Sequence, residues 1–130
     1  MEKIITVDFD DTLDRKYVQK YIEDLVRNKN IKVFILTTRY DELHLHNYDF
    51  ENASHIKLYL IAKKIGIPKH NIFFTNMEYK HKFLKDTNVL AHLDDSSIEI
   101  NKINKNTKTI GVSVLSSNWK QKLDKILFNS

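Results

Sequence analysis

Short apolar runs rich in β-branched and aromatic residues alternate along the chain with longer stretches whose apolar positions recur at helical spacing. The runs predict strands at 4–9, 32–37, 71–75, 89–93 and 109–114. The stretches between and after them predict helices at 16–28, 53–65, 78–85, 97–104 and 118–128. In the second helix Ile56, Tyr59 and Leu60 supply the apolar positions, with Lys63 and Lys64 opposite. Gly66 stops that helix and Pro68 follows, a glycine just past the end and a proline that cannot continue it. In the last helix Trp119, Leu123, Ile126 and Leu127 mark the buried stripe. Five strands each followed by a helix predict an α/β fold, a parallel sheet covered on both faces with right-handed crossovers.

Composition narrows the class. The 130 residues suit one domain, 1–130, and 42% apolar with 29% charged residues suits a soluble globular one. No apolar run approaches a membrane span, and the start, Met1-Glu2-Lys3 and then a strand, lacks a signal-peptide pattern. Without cysteine, disulfides and thiolate metal sites are excluded, and a cytoplasmic location is expected. The net charge of +4 and pI near 9.2 permit an anionic partner, nucleic acid among them. The lysines are scattered through every segment, however, as on an ordinary solvated surface.

Chemistry concentrates at strand ends. The first run closes in Asp8, Asp10 and Asp11. Side chains two apart on a strand share a face, so Asp8 and Asp10 are expected to converge and to need a cation or a shared proton. The plainer alternative is a polar turn in which Asp11 or Thr12 caps the next helix. Ligands of open α/β sheets bind beyond the carboxyl ends of the strands, and further polar groups fall there. Thr37, Thr38 and Arg39 close the second strand, Lys80 and Lys82 follow the third, and Asp94-Asp95-Ser96 closes the fourth. Carboxylates from two strand ends suit a hard cation, most naturally Mg²⁺. Segment 39–52 fits neither regular class and reads as a long loop at the same rim, where Arg39, His44 and His46 are available to a substrate. His44 and His46 as a zinc pair lack a further ligand set. His92 reads as a hydrogen-bonded core histidine, and Trp119, Phe73 and Phe74 as core aromatics.

In order and spacing these groups resemble the motifs of the haloacid dehalogenase-like (HAD) hydrolase superfamily. Asp8-Phe9-Asp10-Asp11-Thr12 is similar to its first motif, Thr37 to its second, Lys80 to its third and Asp94-Asp95 to its fourth. The position held here by Asp11 is often glycine in that family. Lys82 competes with Lys80, which the spacing to Phe83 and Leu84 favours. The resemblance implies a three-layer Rossmann-like sheet of order 3-2-1-4-5. It also implies an aspartyl-phosphate mechanism: Asp8 as nucleophile, Asp10 as general acid and base, Thr37 and Lys80 on the phosphoryl oxygens, and Thr38 and Arg39 towards the substrate. Mg²⁺ would be held by Asp8, Asp94 and the backbone carbonyl of Asp10. A second aspartate at position 10 is the mark of phosphatases rather than dehalogenases in that family. No room for a cap insertion exists after the first or third strand, so a capless, open site is expected. The expected activity is that of a phosphomonoester hydrolase with a phosphorylated substrate. A phosphatase of nucleotide or polynucleotide ends and a non-catalytic phosphate-binding module are the alternatives.

Overall fold

β1 (Lys3–Val7) lies at the middle of a five-stranded, all-parallel sheet of order β3-β2-β1-β4-β5. The other strands are β2 (Ile31–Thr37), β3 (Ile72–Phe74), β4 (Val89–Asp94) and β5 (Ile110–Ser113). This computed structural model describes residues 2–44 and 55–128. Its helices are α1 (Lys16–Val26), α2 (Ile56–Ile65), α3 (His81–Leu84), α4 (Ser97–Asn106) and α5 (Trp119–Phe128). The architecture is the expected α/β Rossmann-like one, with the expected strand order. Among the described residues no helix is long and apolar enough to cross a membrane.

Parallel strands buried on both faces need apolar side chains on both, and the central strands supply them. Ile5, Val7, Val33, Ile35, Ala91 and Leu93 are buried together with Val18, Ile22 and Leu25 of α1 and Leu123 and Leu127 of α5. Each large aliphatic side chain so buried contributes roughly 1.5–3 kcal/mol. α1 and α5 also meet through the Tyr21 hydroxyl, which donates to Asp124 at 2.6 Å, and through the edge of Tyr21 on Trp119. At Gly66 φ is +104°, the left-handed conformation that ends α2 without a Cβ penalty.

Three predicted elements differ from the observed ones. β1 ends at Val7, because residues Phe9–Leu13 form a single wide turn closed by Leu13 N–H to Asp8 O and Asp14 N–H to Phe9 O. In α2 the buried positions are Leu58, Ala62 and Ile65, while Ile56 and Leu60 are 68% and 63% exposed. That helix is apolar nearly all round, so periodicity alone did not select its inner face. The third helix shrinks to His81–Leu84, and with so short a cover Phe73 stays half exposed rather than joining the core. The first residues predicted for the second helix lie outside the described residues.

One detail of the sheet positions the site. Ile4 pairs with Val89 but Ile5 pairs with Ala91, so β4 carries one extra residue, Leu90, as a bulge. Beyond it Thr6 lies opposite His92 and Val7 opposite Leu93. The ladder runs one step further, Asp8 N–H donating to Leu93 O at 2.9 Å. Asp8 and Asp94 are thereby set side by side at the carboxyl ends of adjacent strands.

Candidate active site

Asp8 leaves β1 with extended backbone angles, and its carboxylate is buried. The turn then needs a sharp reversal, which Asp11 supplies at φ +60° and ψ +18°. That left-handed conformation favours glycine and is tolerated by aspartate. Arg15 Nε steadies it by donating to the Asp11 carbonyl at 2.7 Å. Thr12 caps no helix. Its hydroxyl reaches Asp8 Oδ2 at 3.2 Å and Asp95 Oδ1 at 3.5 Å.

Lys80 joins the two strand ends. It enters just before α3, is 2% exposed, and sets Nζ 2.7 Å from Asp8 Oδ1 and 2.6 Å from Asp94 Oδ2. Its backbone N–H donates to Glu99 Oε1 of α4 at 3.1 Å. Lys82 is exposed and pairs with Glu78 at 2.9 Å, so the structure separates the two candidate lysines. Asp94 Oδ2 also meets His92 Nε2 at 2.7 Å, and Asp94 Oδ1 accepts from Ser96 N–H at 3.0 Å.

The electrostatics of this cluster are unbalanced. Asp8, Asp94 and Asp95 each place a carboxylate oxygen within 4.8 Å of the others. Among the described residues one ammonium, Lys80, pairs with two of these carboxylates, Asp8 and Asp94. Burial pushes the Asp8 carboxyl well above the ordinary range, with Lys80 pulling it down and Asp94 pushing it further up. For Asp94 burial acts in the same direction but is outweighed by the hydrogen bond from His92 and by the neighbouring Lys80 ammonium, which hold it well below the ordinary range. Burial alone would lower Lys80, yet Asp8 and Asp94 raise it and keep it charged. Partial burial and neighbouring Asp94 raise Asp95. Such a set accepts either an extra proton or a cation.

The wide turn takes Asp10 off the strand, and it is not part of the cluster of Asp8, Asp94 and Asp95. Its side chain is 52% exposed and is taken up by Arg39, Nη2 to Oδ1 at 2.7 Å and Nε to Oδ2 at 2.9 Å. Arg39 lies over the Phe9 ring, 5.2 Å from its centroid. Its Nη1 stands 3.2 Å from His55 Nδ1, and His55 Nε2 donates to Tyr40 O at 2.8 Å while its ring stacks on Phe74. Thr37 is buried at the end of β2, its Oγ1 accepting the Arg39 N–H at 3.3 Å. Thr38 contributes its carbonyl to Met77 N–H at 2.7 Å, which fastens this rim to the segment after β3. His44 pairs with Asp41 at 2.6 Å, and His46 lies outside the described residues.

Two participants, Thr6 and Glu99, were absent from the sequence reading of the site; Thr12, read as a motif or cap residue, instead touches Asp8, and His92, read as a core histidine, touches Asp94. The Ser96-x-x-Glu99 pattern was a usable signal for one of them. It marks the start of α4, where Ser96 Oγ accepts from Glu99 N–H at 3.3 Å, and so puts Glu99 at this rim.

No family model, curated protein or solved structure matches the chain. The chemistry of the site therefore stands on its own geometry.

Proposed function

We propose that the chain is a Mg²⁺-dependent phosphomonoester hydrolase of the haloacid dehalogenase-like kind, acting through an aspartyl-phosphate on Asp8. The observation that carries this reading is the buried bridge Asp8–Lys80–Asp94, with Asp95 beside it, at the carboxyl ends of two adjacent parallel strands. Carboxylates in excess of ammonium, all offering oxygen, fit a small hard cation. Asp8, Asp94 and Asp95 would hold it, with the Asp10 backbone carbonyl. When bound, Mg²⁺ supplies positive charge that lets an anionic phosphate approach an anionic nucleophile.

The chain's own residues do the rest. An Asp8 carboxylate oxygen attacks phosphorus, and the bond to the leaving oxygen breaks. Asp10 would take up a proton as the substrate displaces the Arg39 fork and give it to that oxygen. Asp10 then takes a proton from the water that attacks the phosphorus, the bond to Asp8 breaks, and inorganic phosphate and the free carboxylate are restored. Lys80 uses two of its three N–H donors on Asp8 and Asp94, which leaves one for a phosphoryl oxygen. Thr37 offers a hydroxyl to the same group from the neighbouring strand. Before substrate arrives, Arg39 keeps Asp10 in place from the side.

The mouth is open. Only the wide turn and α1 separate β1 from β2, and only α3 lies between β3 and β4. Neither connection carries an inserted cap, which favours a phosphate at the end of a large molecule, such as an oligonucleotide, as substrate. The primary test is hydrolysis of p-nitrophenyl phosphate with and without Mg²⁺, for the wild type and Asp8→Asn. Metal-dependent turnover abolished in the variant is expected, and undiminished turnover in Asp8→Asn would remove Asp8 as nucleophile. Turnover at buffer level across phosphorylated metabolites and 3′- or 5′-phosphorylated oligonucleotides, with Mg²⁺ bound, would favour a non-catalytic phosphate-binding module.

A further inference from the structure

One step behind the carboxylates, β1 and β4 carry a second polar pair. Thr6 shares a face of β1 with Asp8, and His92 shares a face of β4 with Asp94. The bulge at Leu90 sets Thr6 directly opposite His92. Thr6 Oγ1 lies 2.6 Å from His92 Nδ1, and His92 Nε2 lies 2.7 Å from Asp94 Oδ2. Thr6 is 4% exposed and His92 not at all. Polar side chains at the centre of a sheet are costly unless every hydrogen bond is made, and here the chain of contacts runs from Thr6 through His92 to Asp94 without a gap.

Donor and acceptor chemistry assigns the direction of that chain. An ionised carboxylate only accepts, so the ring nitrogen facing Asp94 carries a hydrogen: His92 is Nε2–H. In the Nε2–H tautomer Nδ1 is bare and accepts, and the only group placed to meet it among the described residues is the Thr6 hydroxyl at 2.6 Å. The Thr6 hydroxyl therefore donates to Nδ1. Asp94 Oδ2 is then committed to His92 and Lys80. Oδ1, which among the described residues accepts from Ser96 N–H, keeps a lone pair to offer.

We propose that Thr6 and His92 are positioning residues for Asp94: the threonine selects the histidine tautomer, and the histidine turns the carboxylate so that Oδ1 is presented to the cation. This rests on the reading of Asp94 as a Mg²⁺ ligand. Partners that orient a ligand in this way typically matter 10–100-fold in metal affinity.

The experiment has two readouts. ¹⁵N NMR of the histidine rings in metal-free wild type should show His92 protonated at Nε2, with Nδ1 an acceptor whose shift moves in Thr6→Val. An Nδ1–H tautomer or an imidazolium would overturn the proposal whatever the enzyme does. Calorimetric titration with Mg²⁺ then compares wild type, Thr6→Val, His92→Gln and His92→Phe, with folding followed by circular dichroism. We expect the Kd to rise about 10–100-fold in His92→Phe and less in Thr6→Val. His92→Gln, whose amide N–H can face Asp94, should recover most of the loss. Thr6→Val should add nothing in the His92→Phe background. Unchanged Kd in folded Thr6→Val and His92→Phe would overturn the proposal. A wild type that binds no Mg²⁺ would instead overturn the hydrolase reading and the ligand half of this one, while the ring tautomer still decides the rest.

Discussion

Arg39 grips both carboxylate oxygens of Asp10, at 2.7 and 2.9 Å, across the mouth of the site. A planar guanidinium matches two oxygens at once, as an ammonium cannot. The pair anchors an exposed side chain that would otherwise sample several rotamers. Arg39→Ala should lower kcat/KM for p-nitrophenyl phosphate by about 100-fold, the lower end of what a positioned acid–base group supplies. Arg39→Lys keeps the charge but not the fork, so it should recover only part of the loss. Steady-state kinetics on the three proteins decides this, and equal rates would show that Asp10 needs no holder.

Lys80 and Lys82 should behave as opposites. Removing the buried ammonium in Lys80→Met leaves Asp8 and Asp94 facing each other without a counter-charge, a loss of about 3–5 kcal/mol by analogy with other broken buried pairs. Mg²⁺ should restore part of that stability and none of the turnover. Lys82→Ala breaks an exposed pair with Glu78 and should change stability by less than about 0.5 kcal/mol and leave kcat unaltered. Urea melts with and without Mg²⁺, beside turnover, provide the comparison.

Asp8→Asn should stabilise the metal-free fold while abolishing turnover. Burial raises the folded-state pKa of Asp8, so the stability tied to its proton is fully present below the ordinary value of 3.8 and is lost as pH rises through the raised value. Asparagine stays neutral throughout. The variant should therefore melt with the wild type in acid and above it near neutrality, by on the order of 1 kcal/mol. Asp94, held low, acts in the reverse sense, adding stability above 3.8 that is lost on acidification in both proteins. Saturating Mg²⁺ should narrow or reverse the gap, and a gap independent of pH would be inconsistent with a raised Asp8.

Asp11 is a backbone residue rather than a catalytic one. At φ +60° its conformation favours glycine, so Asp11→Gly should keep stability and activity close to wild type. Asp11→Val places a β-branched side chain in the left-handed region and should destabilise the fold by about 1–2 kcal/mol. Thermal melts of the two variants test the turn directly.

Much of the site was legible because strand ends can be read in sequence. Asp8, Thr37 and Asp94 each close an apolar run, and open parallel sheets gather such ends at one rim. Residue types alone leave Lys80 and Lys82 equal, both being lysines in one short helical stretch, and only the spacing to Phe83 and Leu84 favoured Lys80. Burial against two carboxylates separates them. Phe73 and the outer face of α2 were misjudged for a related reason: local apolar pattern cannot report which neighbour is present to cover it.

By itself, the alternation of apolar runs and helical stretches determined the α/β class, the parallel sheet and the carboxylates at its rim. These follow from periodicity, which is a local property of the chain. Tertiary structure alone decided the pairings. The bulge at Leu90 shifts β4 by one residue, and only with that shift does Thr6 face His92 and Asp8 stand beside Asp94. The wide turn at Phe9–Leu13 takes Asp10 off the strand and pairs it with Arg39. Register and turn geometry depend on hydrogen bonds between distant segments, and no single stretch of sequence contains them.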